Sequence, residues 1–210
     1  MNEKKFISKY LDLYKKNLFE RDVSKEIIKL KKLLLKTKKS NNKIIIEGNG
    51  GSAAIASHVA VDFTKVNNIR TINFNEADLI TCFANDYGFE NWLAKALEYY
   101  SVKDDLVILV SSSGRSPNII KAAQRTKELK LKLVTLTGFD KNNPLKKLGD
   151  LNLWVDSRAY NIIENTHLIW LLAVNDLIFG NAEYTAWLAL IKLKKIAGRL
   201  SPASIFKLIN

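Results

Sequence analysis

Two kinds of hydrophobic spacing alternate along the 210 residues of the chain. Between residues 4 and 38, apolar positions recur at three and four in FISKYLDLYKKNLF and VSKEIIKLKKLLL, which predicts one or two amphipathic helices. Short β-branched runs follow: KIIIE (43–47), IRTINF (69–74), LVILVS (106–111), LKLVTLT (131–137) and LNLWV (151–155). Helical patterns over 52–66, 76–84, 89–100, 117–129 and 144–148 lie between them, and a longer one covers 160–179. A further apolar helical stretch, AEYTAWLALIKLKKIAG, comes last. Apolar runs without clean alternation, separated by helices, predict an α/β fold with a parallel sheet covered by helices on both faces.

Composition narrows the setting. The apolar share of 47% and charged share of 26% are those of a soluble globular protein. A single cysteine, Cys82, excludes an intramolecular disulfide and fits a reducing compartment. The opening MNEKKFISKYLDLYKK has charges throughout, unlike a signal peptide. The most apolar stretch, THLIWLLAVNDLIFG, is cut by Asn175 and Asp176 and reads as too short to span a bilayer. A cytoplasmic protein with no membrane contact is therefore expected. The net charge of +12 favours anionic partners, but the lysines are spread over helix faces rather than interleaved with aromatics. That pattern argues against nucleic acid and leaves small phosphorylated ligands open.

In an open parallel sheet, ligands sit beyond the carboxyl ends of the strands. Two of the loops expected there are chemically distinctive. GNGGS, Gly48 to Ser52, has glycines that let the backbone approach a ligand, followed by the positive end of a helix. Ser52 is placed to cap that helix, and the loop is neither a dinucleotide fingerprint nor a Walker loop. SSSGRSPN, Ser111 to Asn118, follows the strand LVILV directly. Ser116 is a natural N-cap and Pro117 a natural first helical residue. Ser111, Ser112, Ser113 and Gly114 have no such structural reason, and hydroxyls with free amides suit a phosphate monoester, with Arg115 as an extra charge.

GNGGSAAIASHVAVDF, FANDYGFEN and SSSGRSPNII resemble, in order and spacing, the sugar isomerase (SIS) domain, and most closely its phosphoheptose isomerase branch. The resemblance covers roughly residues 10–180, so residues 1–180 are expected to form an SIS domain and 181–210 a C-terminal helical extension. It implies a three-layer α-β-α, flavodoxin-like, five-stranded parallel sheet and a homotetramer with sites at subunit interfaces. It also implies that Ser52, Ser111, Ser113 and Ser116 hold the phosphate, while Asn49, Gly50, Gly51, Asn85, Asp86 and Ser112 line the sugar.

The branch interconverts sedoheptulose 7-phosphate and a heptose 7-phosphate, a proton shift that needs a base and a group to stabilise oxygen charge. It uses a histidine and glutamate four apart on one helix, and a glutamine and histidine eight apart on a later one, groups that also ligate zinc. The corresponding residues here are His58, Asp62, Glu164 and Leu172. The i, i+4 spacing puts His58 and Asp62 on one face, and an aspartate amid VAVDF reads as a polar break in a packed face. Asp62 is one methylene shorter than glutamate, Glu164 is charged where glutamine is neutral, and Leu172 neither moves protons nor binds metal. His58, Asp62 and Glu164 remain the catalytic candidates and a candidate zinc set. His167 reads as packed between helices, and Cys82 as packing. Two functions stay open: an isomerase of phosphorylated sugars, and a non-catalytic SIS protein that binds a sugar phosphate or a partner protein.

Overall fold

In the computed structural model, residues 1–185 are described. Two helices precede the sheet: α1 (Glu3–Leu18) and α2 (Ser24–Lys39). The Asn2 side chain caps α1 by accepting from the Lys5 amide at 3.1 Å. The sheet and its crossovers then run β1 (Ile44–Gly48), α3 (Gly51–Asn67), β2 (Thr71–Ile72), α4 (Ala77–Tyr87) and α5 (Trp92–Tyr100). They continue with β3 (Leu106–Ser111), α6 (Pro117–Glu128), β4 (Lys132–Thr137), α7 (Pro144–Leu148), β5 (Leu151–Trp154) and α8 (Tyr160–Phe179).

All five strands are parallel, in the order β2-β1-β3-β4-β5. Strands with both faces covered have their alternate side chains in different cores. Ile44, Ile46, Ile108 and Val134 meet Leu30 and Leu34 of α2, Ile55 and Phe63 of α3, and Val174 of α8. Ile45, Val107, Leu109 and Leu133 meet Trp92 and Leu97 of α5, Ile119 of α6 and Leu145 of α7. Each fully buried aliphatic side chain of this kind contributes about 1.5–3 kcal/mol. These two slabs of packing hold the strand ends, and so the loops, in fixed relation.

The strand expected over 69–74 pairs only at Thr71 and Ile72. Beyond them the ladder is replaced by side chains: the Phe74 amide donates to the Glu47 carboxylate, and the Asn75 amide to the Asn73 side chain at 3.1 Å. The apolar C-terminal stretch lies outside the described residues, apart from an irregular segment up to Thr185.

Helix α8 is 20 residues long and apolar enough by length and composition to cross a membrane, contrary to the shorter span suggested by its polar interruptions. Half of it is buried inside the fold, with Ile163, Trp170, Leu171 and Val174 in the core. Those interruptions have partners. The Asn67 side chain of α3 donates to the Asn175 backbone and side-chain oxygens at 2.9 and 2.7 Å.

His167 is the buried, packed histidine expected. Its Nε2–H donates to the Thr137 carbonyl at 3.1 Å, and its Nδ1 has no partner. Burial pushes its pKa down to about 4, against the pull of that hydrogen bond. The unfolded chain therefore binds a proton that the native chain refuses as pH falls from about 6.5 to 4. Relative to His167→Gln, which retains an N–H donor for Thr137, the wild type should lose on the order of 3 kcal/mol between pH 7 and 4, measured by urea unfolding.

Candidate active site

The two serine-bearing loops lie side by side because β1 and β3 are adjacent and in register, with Gly48 opposite Val110. A second tie crosses between the loops themselves. Asn49 and Asn118 exchange side-chain hydrogen bonds, 2.9 Å in each direction, and Asn118 is buried. Sequence reading placed Asn49 on the sugar and gave Asn118 no role; their reciprocal pairing makes them the brace of the two loops.

In the first loop, Gly50 takes φ +54° and stands at the N-cap of α3 with no side-chain cap. Ser52 is therefore not the cap expected of it. It lies inside the first turn, 2% exposed, and its amide is bonded to the Asn49 carbonyl. A Cβ on Gly48 would come within 2.5 Å of Ser52 Cβ, so the close approach of strand to helix requires glycine there.

The second loop closes on itself through hydroxyls. Ser111 Oγ accepts from the Gly114 amide at 3.2 Å and lies 3.5 Å from Ser116 Oγ. Ser113 Oγ accepts from the Arg115 amide at 3.2 Å. Ser116 is the N-cap of α6 by position and Pro117 its first residue, yet the Ser116 side chain makes no cap bond. That hydroxyl has Ser111 Oγ as its one partner among the described residues, and the amides of Asn118 and Ile119, which follow the N–H-less Pro117, open α6 at its positive end. Gly114, at φ +62°, leaves the space used by the Asn143 side chain, which in turn caps α7 at 2.9 Å from the Lys146 amide. Arg115 points to the rim, ion-paired to Asp140 at 3.1 Å. Beside Asp140 a solvent-open hollow of about 600 Å³ is lined by Phe139, Trp154, Asp156 and Arg158.

Glu164 reaches this cradle from the start of the second turn of α8. Its carboxylate covers Gly51, where a Cβ would stand 2.2 Å from Oε2, and it accepts from Ser112 Oγ at 3.4 Å. Gly51, Ser112 and Glu164 are thus brought together, with no ion pair to Glu164 among the described residues. His58 and Asp62 form their own pair, 3.4 Å apart, farther along α3. Val59, Ala60 and Phe63 carry the buried side of that helix, while Val61 and His58 face out. Asp62 therefore flanks the packed face rather than breaking it. Asp62 stands ten residues past Ser52, about 15 Å along the helix axis. His58, Asp62 and Glu164 do not gather in one chain, and no group of three metal-ligating side chains forms among the described residues. Asn85 and Asp86, at the exposed end of α4, bond to each other at 3.0 Å rather than to either loop. Cys82 is exposed, its sulfur 3.8 Å from Asp86, so it is not the packing residue expected. Leu172 packs against the α3 side of the core.

Beneath the first loop is a group the sequence reading did not single out. Glu47, fully buried at the end of β1, accepts from the Phe74 amide and from the Gly48 amide at 3.3 Å. Its only sequence signal is a carboxylate closing an otherwise apolar strand.

The SIS domain family profile matches residues 6–138. The chain belongs to the SIS domain family. Its relatives there include the phosphoheptose isomerase of Helicobacter pylori, 36% identical over 152 residues, which are 70% of this chain and 79% of that protein. The phosphoheptose isomerase of Fusobacterium nucleatum is 33% identical over 163 residues, 75% of this chain and 84% of that protein. Among solved structures, the phosphoheptose isomerase of Neisseria gonorrhoeae superposes with a TM-score of 0.77 at 25% identity, covering 85% of this chain and 99% of that one. That of Francisella tularensis shares the fold, with a TM-score of 0.78, 24% identity and coverage of 86% and 100%.

Burial raises the Glu47 pKa to about 7 against the pull of its two amide donors. The native chain thus holds this proton where the unfolded chain has released it, and stability falls as pH rises from about 4.5 to 7. Glu47→Gln, followed by urea unfolding, should gain on the order of 3 kcal/mol relative to wild type between pH 4.5 and 8.

Proposed function

We propose that this protein is an aldose–ketose isomerase of phosphorylated sugars, acting on sedoheptulose 7-phosphate or a close analogue in heptose or surface-polysaccharide synthesis. The observation that supports the reading is the in-register pairing of β1 with β3, which sets the loop bearing Ser52 beside the loop bearing Ser111, Ser113 and Ser116, each leading into a helix N-terminus. Hydroxyls and amide dipoles there suit a phosphate dianion without a buried cation. Named relatives that isomerise a phosphoheptose support the same substrate class.

The reaction moves one proton. A base removes it from the carbon beside the carbonyl, the electron pair forms an enediol, and the proton returns to the neighbouring carbon. Asp62, held by His58, is the assigned base, with His58 the acid that serves the oxygen. Glu164, fixed by Ser112 over Gly51, contacts the sugar, together with Asn49, Gly50, Asn85 and Asp86. The stretch of α3 between Ser52 and Asp62 supports a site shared between copies, in which one supplies the cradle and another the His58–Asp62 pair. Exposed Phe6, Ile7 and Leu11 on α1, Val61 on α3 and Ile169 on α8 give a homotetramer apolar surface to bury. His58 and Asp62 give zinc two ligands, and a third has to come from another copy, so no step is routed through the metal. The assignment is to a cytoplasmic enzyme.

A non-catalytic sugar-phosphate-binding protein is the second reading, favoured by Leu172, whose side chain supplies no proton-transfer group. Purified protein supplied with sedoheptulose 7-phosphate, with zinc or with a chelator, separates the two. Turnover is expected, whereas binding without turnover gives the second reading. Asp62→Ala should lower turnover at least about a hundredfold while sugar-phosphate affinity stays within about threefold. Coexpression of Asp62→Ala with Ser113→Ala should restore part of the activity that each variant lacks alone. No restoration in mixed oligomers would place the whole site in one copy.

A further inference from the structure

The residues just after α8 return to the helix pair that bears His58 and Asp62. Gly180, at φ +89°, ends α8 and turns the chain back. Tyr184 then lays its ring on Phe179, with centroids 4.6 Å apart, and packs into the cluster formed by Phe179 and Val66. Val66 lies one helical turn beyond Asp62 on the same side of α3. The Tyr184 hydroxyl donates to Asp176 Oδ1 at 3.2 Å and accepts from the Asn175 side chain at 3.2 Å. Asn175 is the residue that α3 grips through Asn67. Asn67, Asn175, Asp176 and Tyr184 therefore form one polar clamp across α3 and α8.

We propose that Tyr184 is a positioning residue for the His58–Asp62 pair, its hydroxyl fixing Asn175 and Asp176 of α8 so that Asn175 stays in place for Asn67 of α3, just over one turn beyond Asp62. The ring alone would satisfy the apolar surface of Val66 and Phe179. The hydroxyl adds a donor to a carboxylate in a half-buried place, where such a bond is stronger than in water. Burial and then Asp176 push the phenol pKa up to about 12, and the charge of Asp62 also reaches it. The phenol thus stays a protonated donor across the working range. Catalysis by a base on α3 tolerates little slippage, since a misplacement of about 1 Å can cost around a hundredfold in rate.

The kinetic part of the test rests on the proposed isomerase activity; the spectroscopic part does not. Tyr184→Phe keeps the ring and removes the hydroxyl. With sedoheptulose 7-phosphate, its kcat should fall about tenfold with KM within about twofold. The chain has two histidines, so their ring resonances are easily separated by NMR. In the variant those of exposed His58 should move, while those of buried His167 hold. Unchanged kcat and unchanged His58 resonances would overturn the proposal. Asp176→Asn leaves an oxygen for the phenol to donate to and should keep kcat within about threefold. A loss as large as that of Tyr184→Phe would overturn the hydrogen-bond account. Should wild-type protein turn over no sugar phosphate, the isomerase reading fails, and the His58 resonances alone decide the role of Tyr184.

Discussion

The in-register pairing of β1 with β3 is the constraint on which the rest depends. Parallel neighbours direct both carboxyl ends to one edge of the sheet, and each strand leads straight into a helix. Two helix N-termini are thereby set next to each other, each with backbone amides that no turn of helix satisfies. The Asn49–Asn118 exchange then braces one loop against the other. Without that strand pairing the serines of residues 48–52 and 111–116 would belong to separate surfaces.

The charge distribution at this edge differs from that of the whole chain. The protein carries +12 overall, yet among the described residues the serine loops hold no paired cation other than Arg115, which is turned outward to Asp140. Its acidic groups are nearer: Glu47 lies under the first loop and Glu164 over it. In the proposed function an anion there meets hydroxyls and oriented amides, while the lysine-rich surface adds long-range attraction that salt screens. Glu164 and Glu47 act differently. The first is accessible to whatever enters the loop, and the second is sealed into the backbone that shapes it.

The helix and strand pattern was legible because each apolar run served one structural purpose. The turn chemistry was less so. Ser52 looked like a cap, but the positive φ of Gly50 starts α3 two residues earlier and leaves Ser52 inside the first turn. The strand over 69–74 looked continuous, but the Glu47 carboxylate captured an amide that the ladder would have used. Asp62 looked like an interruption of a packed face, whereas the rotation of α3 buries Val59 and Phe63 and lets Asp62 stand beside them. In each case a long-range contact outweighed a local preference.

The class of fold, the strand and helix order, and the two glycine- and serine-rich loops were readable from the sequence alone, because hydrophobic period and glycine–serine content are local properties. Tertiary structure decided which of the polar residues cooperate. It joined Asn49 to Asn118, Ser112 to Glu164, and Tyr184 to Asp176, and it kept Glu164 apart from His58 and Asp62 within one chain. The separations between residues that meet depend on strand order and helix rotation, which the burial of two cores fixes for the chain as a whole.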